Sequence, residues 1–172
     1  GSFVGQTACA IAANVPCRLI CIDSWNPRRS EHDDISQRIS DAQDLFYRGF
    51  IKNTLPFPNI RHIKMDSRAA SRMFADGSLD MVFLDAGHER DEVEMDIEAW
   101  APKVRFGGIL SGHDYATFGG VRGAVADMIE GYELGGLEVW YKIVGQSSEP
   151  LLSRIPLDDV APLAFQSEVP NG

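Results

Sequence analysis

No run of about 18 apolar residues, the length that crosses a bilayer as a helix, occurs in this chain, and its amino-terminal stretch lacks a basic segment followed by an apolar one. A soluble, cytoplasmic protein is expected on those grounds. Positive charge is scarce too: 16 Lys and Arg stand against 25 Asp and Glu, a formal net charge of -9, and the basic residues nowhere form a dense block. That argues against a nucleic-acid or membrane-surface binder and leaves a small molecule as the expected partner. Cysteine is sparse, with Cys9, Cys17 and Cys21 an odd set without metal-type CxxC spacing, so buried free thiols are expected. No internal repeat is present. The 172 residues, 44% of them hydrophobic, suffice for one globular core and are too few for two comfortable domains. Oligomeric state is left open, a homo-oligomer included.

What is present concentrates between Asp80 and Tyr115. An apolar run, Met81 to Leu84, ends in Asp85 and then Gly87-His88, the pattern of a buried strand running out into a loop. Val93, Ile97 and Trp100 then fall on one face of a helix, with Asp91, Glu92, Glu94, Asp96 and Glu98 assigned to the rest. Pro102 and Gly107-Gly108 punctuate the chain before a second strand, Ile109-Leu110, which runs into Gly112-His113-Asp114. In a parallel sheet both strands finish on the same edge, so Asp85, His88, His113 and Asp114 are expected to converge there, where open α/β sheets bind ligands.

The remaining pattern extends this alternation. A glycine-flanked opening leads into an Ala-rich helical stretch, and Arg18 to Ile22 forms a strand ending at Asp23. Helical segments are expected within Glu31 to Leu55. Ile60 to Met65 gives another strand, with Ser67 as cap of a helix Arg68 to Phe74. Val121, Val125, Met128, Ile129 and Tyr132 make a helical stripe stopped by Gly135-Gly136. Leu137 to Val144 and Leu151 to Ile155 read as an antiparallel pair closing the sheet. The expected architecture is α/β, a doubly wound, mostly parallel sheet with an antiparallel carboxyl-terminal strand, over residues 1–155, followed by a tail, 156–172. Such a sheet normally feeds its first glycine loop from a strand, and here the chain opens on the loop. Either that strand lies upstream of Gly1, or Gly1-Ser2 imitates the motif by accident.

Gly1-Ser2-Phe3-Val4-Gly5 before a helix suits close approach of backbone N–H groups to a ligand, or a plain tight turn. Asp23 is placed to accept hydrogen bonds from ribose hydroxyls, or to cap a helix. Asp66-Ser67 offers a carboxylate for an exocyclic amine beside a capping hydroxyl. These features, with Leu84-Asp85-Ala86-Gly87-His88 through Asp96, Trp100, Pro102, Gly107-Gly108 and His113-Asp114-Tyr115, resemble the class I S-adenosylmethionine-dependent methyltransferases, closest to their small-molecule O-methyltransferase-like branch. The resemblance covers roughly residues 1 to 144. It implies a Rossmann-like sheet of the seven-stranded type, S-adenosylmethionine as cofactor, and methyl transfer to a small-molecule hydroxyl.

It also implies roles for particular residues. Gly1, Ser2, Gly5, Asp23, Asp66, Ser67 and Asp85 would hold the cofactor. Asp85, His113 and Asp114 would bind a divalent cation such as Mg²⁺ or Mn²⁺. Asp85 and His88 would be catalytic, His88 as general base, since an unperturbed imidazole titrates near neutrality. Removing the Asp23 carboxylate is expected to weaken cofactor binding and leave stability nearly unchanged. A cofactor-binding domain without turnover is the alternative. His32-Asp33-Asp34, taken with His88 and His113-Asp114, superficially suggests a metal-dependent phosphohydrolase, a helical class that the strand-forming runs disfavour. Trp25, Phe46, Tyr47 and Phe50 are candidates for an acceptor pocket or for core, and His62 for a structural role.

Overall fold

The computed structural model describes residues 1–26 and 36–145. His32-Asp33-Asp34, the expected strand Leu151 to Ile155 and the tail from Pro156 lie outside them. The elements run α1 (Gln6–Asn14), β1 (Leu19–Asp23), α2 (Ser36–Thr54), β2 (Ile60–Lys64), α3 (Ser67–Ser71), β3 (Leu79–Leu84), α4 (Arg90–Trp100), β4 (Val104–Gly112), α5 (Gly119–Met128), β5 (Glu133–Leu134) and β6 (Trp140–Ile143). A single 3-10 turn at Ala101–Lys103, with Pro102 inside it, joins α4 to β4.

Two parallel pairs organise the sheet. β1 pairs with β2, from Leu19 opposite Ile60 to Asp23 opposite Lys64. β3 pairs with β4, from Met81 opposite Ile109 to Leu84 opposite Gly112. β6 runs antiparallel to β4 and β5 antiparallel to β6, giving the order β3-β4-β6-β5. The α/β class, the parallel pairs and the antiparallel strand at the carboxyl end agree with the sequence reading. The two pieces are not hydrogen-bonded to each other: among the described residues, β1 and β3 each have a strand partner on one side only. The segment Gly1-Ser2 sits where their carboxyl ends approach. The Gly1 nitrogen is hydrogen-bonded to the Asp85 carbonyl, and Ser2 donates its N–H to the Asp23 carboxylate at 2.6 Å.

Most of the core lies under β3, β4 and β6. Val93, Ile97 and Trp100 of α4 join Val121, Ala124 and Val125 of α5 against Val82, Leu110 and Trp140 of the sheet. Burying an aliphatic side chain of this size contributes about 1.5–3 kcal/mol relative to leaving it in water, which is why the helical stripes were legible. A second cluster, Ala8, Cys21, Trp25, Phe50 and Ile60, fastens α1 and α2 to the β1–β2 pair.

Several boundaries differ from expectation, each for a physical reason. β6 lies between β4 and β5, and the short strand β5, which the sequence reading did not include, forms a hairpin with it. Gly135-Gly136 therefore lies in the connection of that hairpin, and α5 has already ended at Met128 with Ile129 as its cap. Gly107 and Gly108 lie inside β4, where the register against β3 shifts between Leu79 and Met81. Gly107 takes a φ of 73° there, and a Cβ on Gly108 would stand 2.7 Å from the Asp80 carbonyl, so only glycine lets the backbone bulge and approach this closely. Helix α3 is capped by Asp66, whose carboxylate accepts from the Ala69 N–H at 3.0 Å, and not by Ser67, whose hydroxyl turns inward. Asp96, assigned by sequence to the solvated side of α4, is buried at 9% exposure. It falls three residues after Val93 and four before Trp100, on the apolar stripe itself.

Candidate active site

The parallel register of β3 and β4 does the positioning. With Leu84 opposite Gly112, the next residues, Asp85 on one strand and His113-Asp114 on the other, leave the sheet side by side, and the His113 N–H extends the ladder to the Leu84 carbonyl at 3.0 Å. Gly112 makes the approach possible. A Cβ there would stand 2.6 Å from both the Leu84 carbonyl and the Trp140 indole. Asp114 then adopts a left-handed φ of 64°, a conformation that aspartate tolerates better than most residues, and its carboxylate faces back toward the loop after β3.

That carboxylate touches two imidazoles. Asp114 Oδ2 lies 2.9 Å from His88 Nε2, and Asp114 Oδ1 lies 3.1 Å from His113 Nδ1. Asp114 is mostly shielded while both histidines keep about two-fifths of their side-chain surface in solvent. The donor atoms of Asp85, His113 and Asp114 all lie within 4.8 Å of one another, close to the roughly 4–5 Å that separates opposite ligands of a hard divalent cation. Two carboxylates and an imidazole at this spacing fit such an ion. A small cleft, with a volume of about 10 Å³, is lined by Asp85, Gly87, His88, Asp96, His113 and Asp114. All four residues expected to converge at this edge are there.

The residues expected to hold the cofactor divide between free and committed groups. Asp23 accepts three backbone N–H bonds, from Ser2 (2.6 Å) and Phe3 (3.0 Å) on Oδ2 and from Trp25 (2.7 Å) on Oδ1. It thereby ties the Gly1–Gly5 loop to the end of β1, and Oδ1 keeps room for a further donor. Gly5, at φ 83°, is the N-cap of α1 and packs so closely on Phe50 and Thr54 that a Cβ would meet them at 3.1 and 3.0 Å. Asp66 engages one oxygen in capping α3 and leaves the other uncommitted in the hydrogen bonds observed. Ser67 differs: its hydroxyl accepts the Trp100 indole N–H at 2.9 Å and stands beside the Asp96 carboxylate, favouring its charged form.

Asp96 is the site residue that sequence reading misplaced. Burial pushes its carboxyl above the usual carboxylate range, and the Ser67 hydroxyl partly offsets that effect. Its place on the 93/97/100 stripe was the available signal. The aromatic candidates resolve toward core: Trp25 and Phe50 are buried with ring centroids 4.8 Å apart, Tyr47 packs on Trp25 at the same distance, and Phe46 packs against the same cluster. The Trp25 indole N–H also holds the Phe3 carbonyl at 2.7 Å. His62 shares a 2.9 Å hydrogen bond with the Tyr47 hydroxyl, a structural arrangement. Of the thiols, Cys21 is buried and its pKa is pushed up to about 11, chiefly by desolvation, whereas Cys9 and Cys17 are half-buried.

Comparison with known proteins shows the family and the fold. A family model described as a methyltransferase domain matches residues 1–115, and the chain belongs to that family. Its class is that of the Rossmann-like, S-adenosylmethionine-dependent methyltransferases. Among solved structures, the O-methyltransferase NovP is similar at 15% identity and a TM-score of 0.58, over 81% of this chain and 67% of that one. The apo TDP-rhamnose 3'-O-methyltransferase of calicheamicin biosynthesis gives 16% identity and a TM-score of 0.54, over 85% and 70%. A Corynebacterium glutamicum protein matches at 19% identity and a TM-score of 0.45, over 72% of this chain, which spans only 58% of its length. At such identities the likeness is one of fold. No curated protein matches the chain. Among the described residues, no helix is long and apolar enough to cross a membrane.

Proposed function

We propose that the protein transfers the methyl group of S-adenosylmethionine to a hydroxyl oxygen of a small molecule, with His88 as general base. The observation that carries the reading is the 2.9 Å contact between His88 Nε2 and Asp114 Oδ2 at the shared carboxyl edge of β3 and β4. With its Nε2–H donated to Asp114, the ring keeps its lone pair on Nδ1. Nδ1 would take the proton of the acceptor hydroxyl as its oxygen receives the methyl group, S-adenosylhomocysteine being the group that leaves. Asp114 holds the tautomer and offsets the charge that the ring acquires. S-adenosylmethionine supplies a methyl already activated by its sulfonium, so positioning and deprotonation are what the protein must add.

Asp23 would take the ribose on Oδ1, Asp66 the adenine amine on its uncommitted oxygen, and the Gly1–Gly5 loop and the backbone after Asp85 the remainder. The contribution of Ser67 narrows to its backbone and to bracing α3, because the Trp100 indole engages its hydroxyl. Asp85, His113 and Asp114 would hold a divalent cation, which when bound would lower the pKa of a coordinated hydroxyl. The net charge of -9 favours a small acceptor over a nucleic acid.

The test is release of S-adenosylhomocysteine from S-adenosylmethionine across a panel of nucleotide sugars, phenols and glycosides. His88→Ala should lower turnover by about 10²–10⁴-fold with little change in cofactor affinity. Full turnover in that variant would rule out the base. Mg²⁺ or Mn²⁺ should raise Tm by binding the folded state preferentially, and Asp85→Asn with Asp114→Asn should abolish the rise. An equal rise in the double variant would remove the cation from this site.

A further inference from the structure

Phe118 belongs to no feature of the proposed chemistry, yet its ring lies flat on the His88 imidazole with centroids 4.0 Å apart and planes within 9°. It remains 37% exposed, so burial in the core does not account for its placement. Its backbone is fixed at both sides. The Phe118 N–H donates to the Asp114 carbonyl at 3.0 Å, closing the turn after β4, and its own carbonyl accepts from Arg122 at 3.1 Å as the N-cap of α5. Asp114 therefore gives its carboxylate to His88 and its carbonyl to the residue stacked on His88, which closes a ring of three. The start of α5 also presses on the loop that carries His88: a Cβ on Gly120 would stand 2.3 Å from the His88 carbonyl and 2.9 Å from the Arg90 nitrogen.

We propose that Phe118 is a positioning residue for His88, a planar shelf that covers one imidazole face and keeps the ring in the plane where Nε2 meets Asp114 and Nδ1 points edge-on at the acceptor. A half-exposed imidazole held only by a hydrogen bond at Nε2 stays free to rock about that bond. A stacked ring removes the freedom, and the shape needed is flat and apolar on the stacking side. The inference rests on His88 as the base, but its structural half is measurable without an acceptor.

The experiment follows the ring nitrogens of His88 by long-range ¹H–¹⁵N correlation in labelled full-length protein near pH 8, assigned with His88→Gln. The native protein and Phe118→Tyr should show two well-separated nitrogens, the pattern of a single Nε2–H tautomer. In Phe118→Leu and Phe118→Ala the two signals should move toward each other as the ring samples both tautomers, while far-ultraviolet circular dichroism and S-adenosylhomocysteine affinity stay within about twofold of native. With an acceptor, Phe118→Leu should lower kcat by about tenfold and leave KM within twofold, and the loss should vanish in a His88→Ala background. Unchanged nitrogen signals in both Phe118→Leu and Phe118→Ala overturn the proposal. Should the signals respond while His88→Ala retains turnover, the shelf stands and the base assignment falls.

Discussion

Three backbone N–H groups, from Ser2, Phe3 and Trp25, converge on the Asp23 carboxylate, so this residue organises the loop beside any cofactor contact it makes. The sequence-based expectation that its removal spares stability is revised accordingly. Asp23→Ala should weaken S-adenosylmethionine binding about tenfold or more in calorimetric titration, the loss of one hydrogen bond to a charged group at about 1.5–3 kcal/mol. It should also lower Tm by several degrees, since three donors lose their acceptor. A native Tm would show that the loop is held by other contacts. Asp96 carries the second prediction at this scale. Because burial raises its pKa in the folded state, the stability it contributes is fully present below its unfolded pKa and is lost as pH rises through the folded value. Asp96→Asn, which keeps an acceptor for the Ser67 hydroxyl, should therefore melt above the native protein at pH 7 to 8, with the difference closing as the pH falls toward 4. A gap independent of pH would mean that desolvation of the charge is not the cause.

At the scale of elements, the junction of β3, β4 and β6 is the most constrained part of the fold. Gly112 sits opposite Leu84 in one pairing and Trp140 in the other, and no Cβ fits between the Leu84 carbonyl and the indole. Gly112→Ala should cost roughly 1–3 kcal/mol by overpacking, and it should separate Asp85 from His113-Asp114, because those residues leave the sheet immediately beyond it. Thermal melts read the first effect and Mn²⁺ binding by calorimetry the second. Native values of both would show that Trp140 can move aside. Sequence made the β3–α4–β4 unit legible because its strands end in polar residues and α4 shows a clean stripe. It did not reveal the β5–β6 hairpin. Two residues of strand, Glu133–Leu134, carry too little periodicity to distinguish from loop, and only pairing with Trp140 and Tyr141 makes them a strand.

For the molecule as a whole, the described strands fall into two pieces, the β1–β2 pair and the four-stranded sheet. Among the described residues, β1 and β3 each have one backbone edge without a strand partner, Ile20 and Met81 on them are 41% and 50% exposed, and Gly1 touches the carboxyl ends of both. Unpaired edges with apolar side chains are sites for strand addition. A five- or six-residue apolar peptide added in solution is expected to enter between them in parallel with both. Amide protons of β1 and β3 should then gain protection from hydrogen exchange, and Tm should rise. Unchanged protection on β1 would show that the two sheet pieces are coupled through their helices alone.

By itself the sequence determined the alternation of strand and helix, the strand ends at Asp23, Asp66 and Asp85, and the family, because these follow from local periodicity and from motifs read within a few residues. Only tertiary structure decided that Asp96 faces the core, that Ser67 turns from cap to brace, and that His88, Asp114 and Phe118 close on one another. Those outcomes depend on which side chains occupy the same space across elements far apart in the chain, and neither spacing nor propensity encodes that.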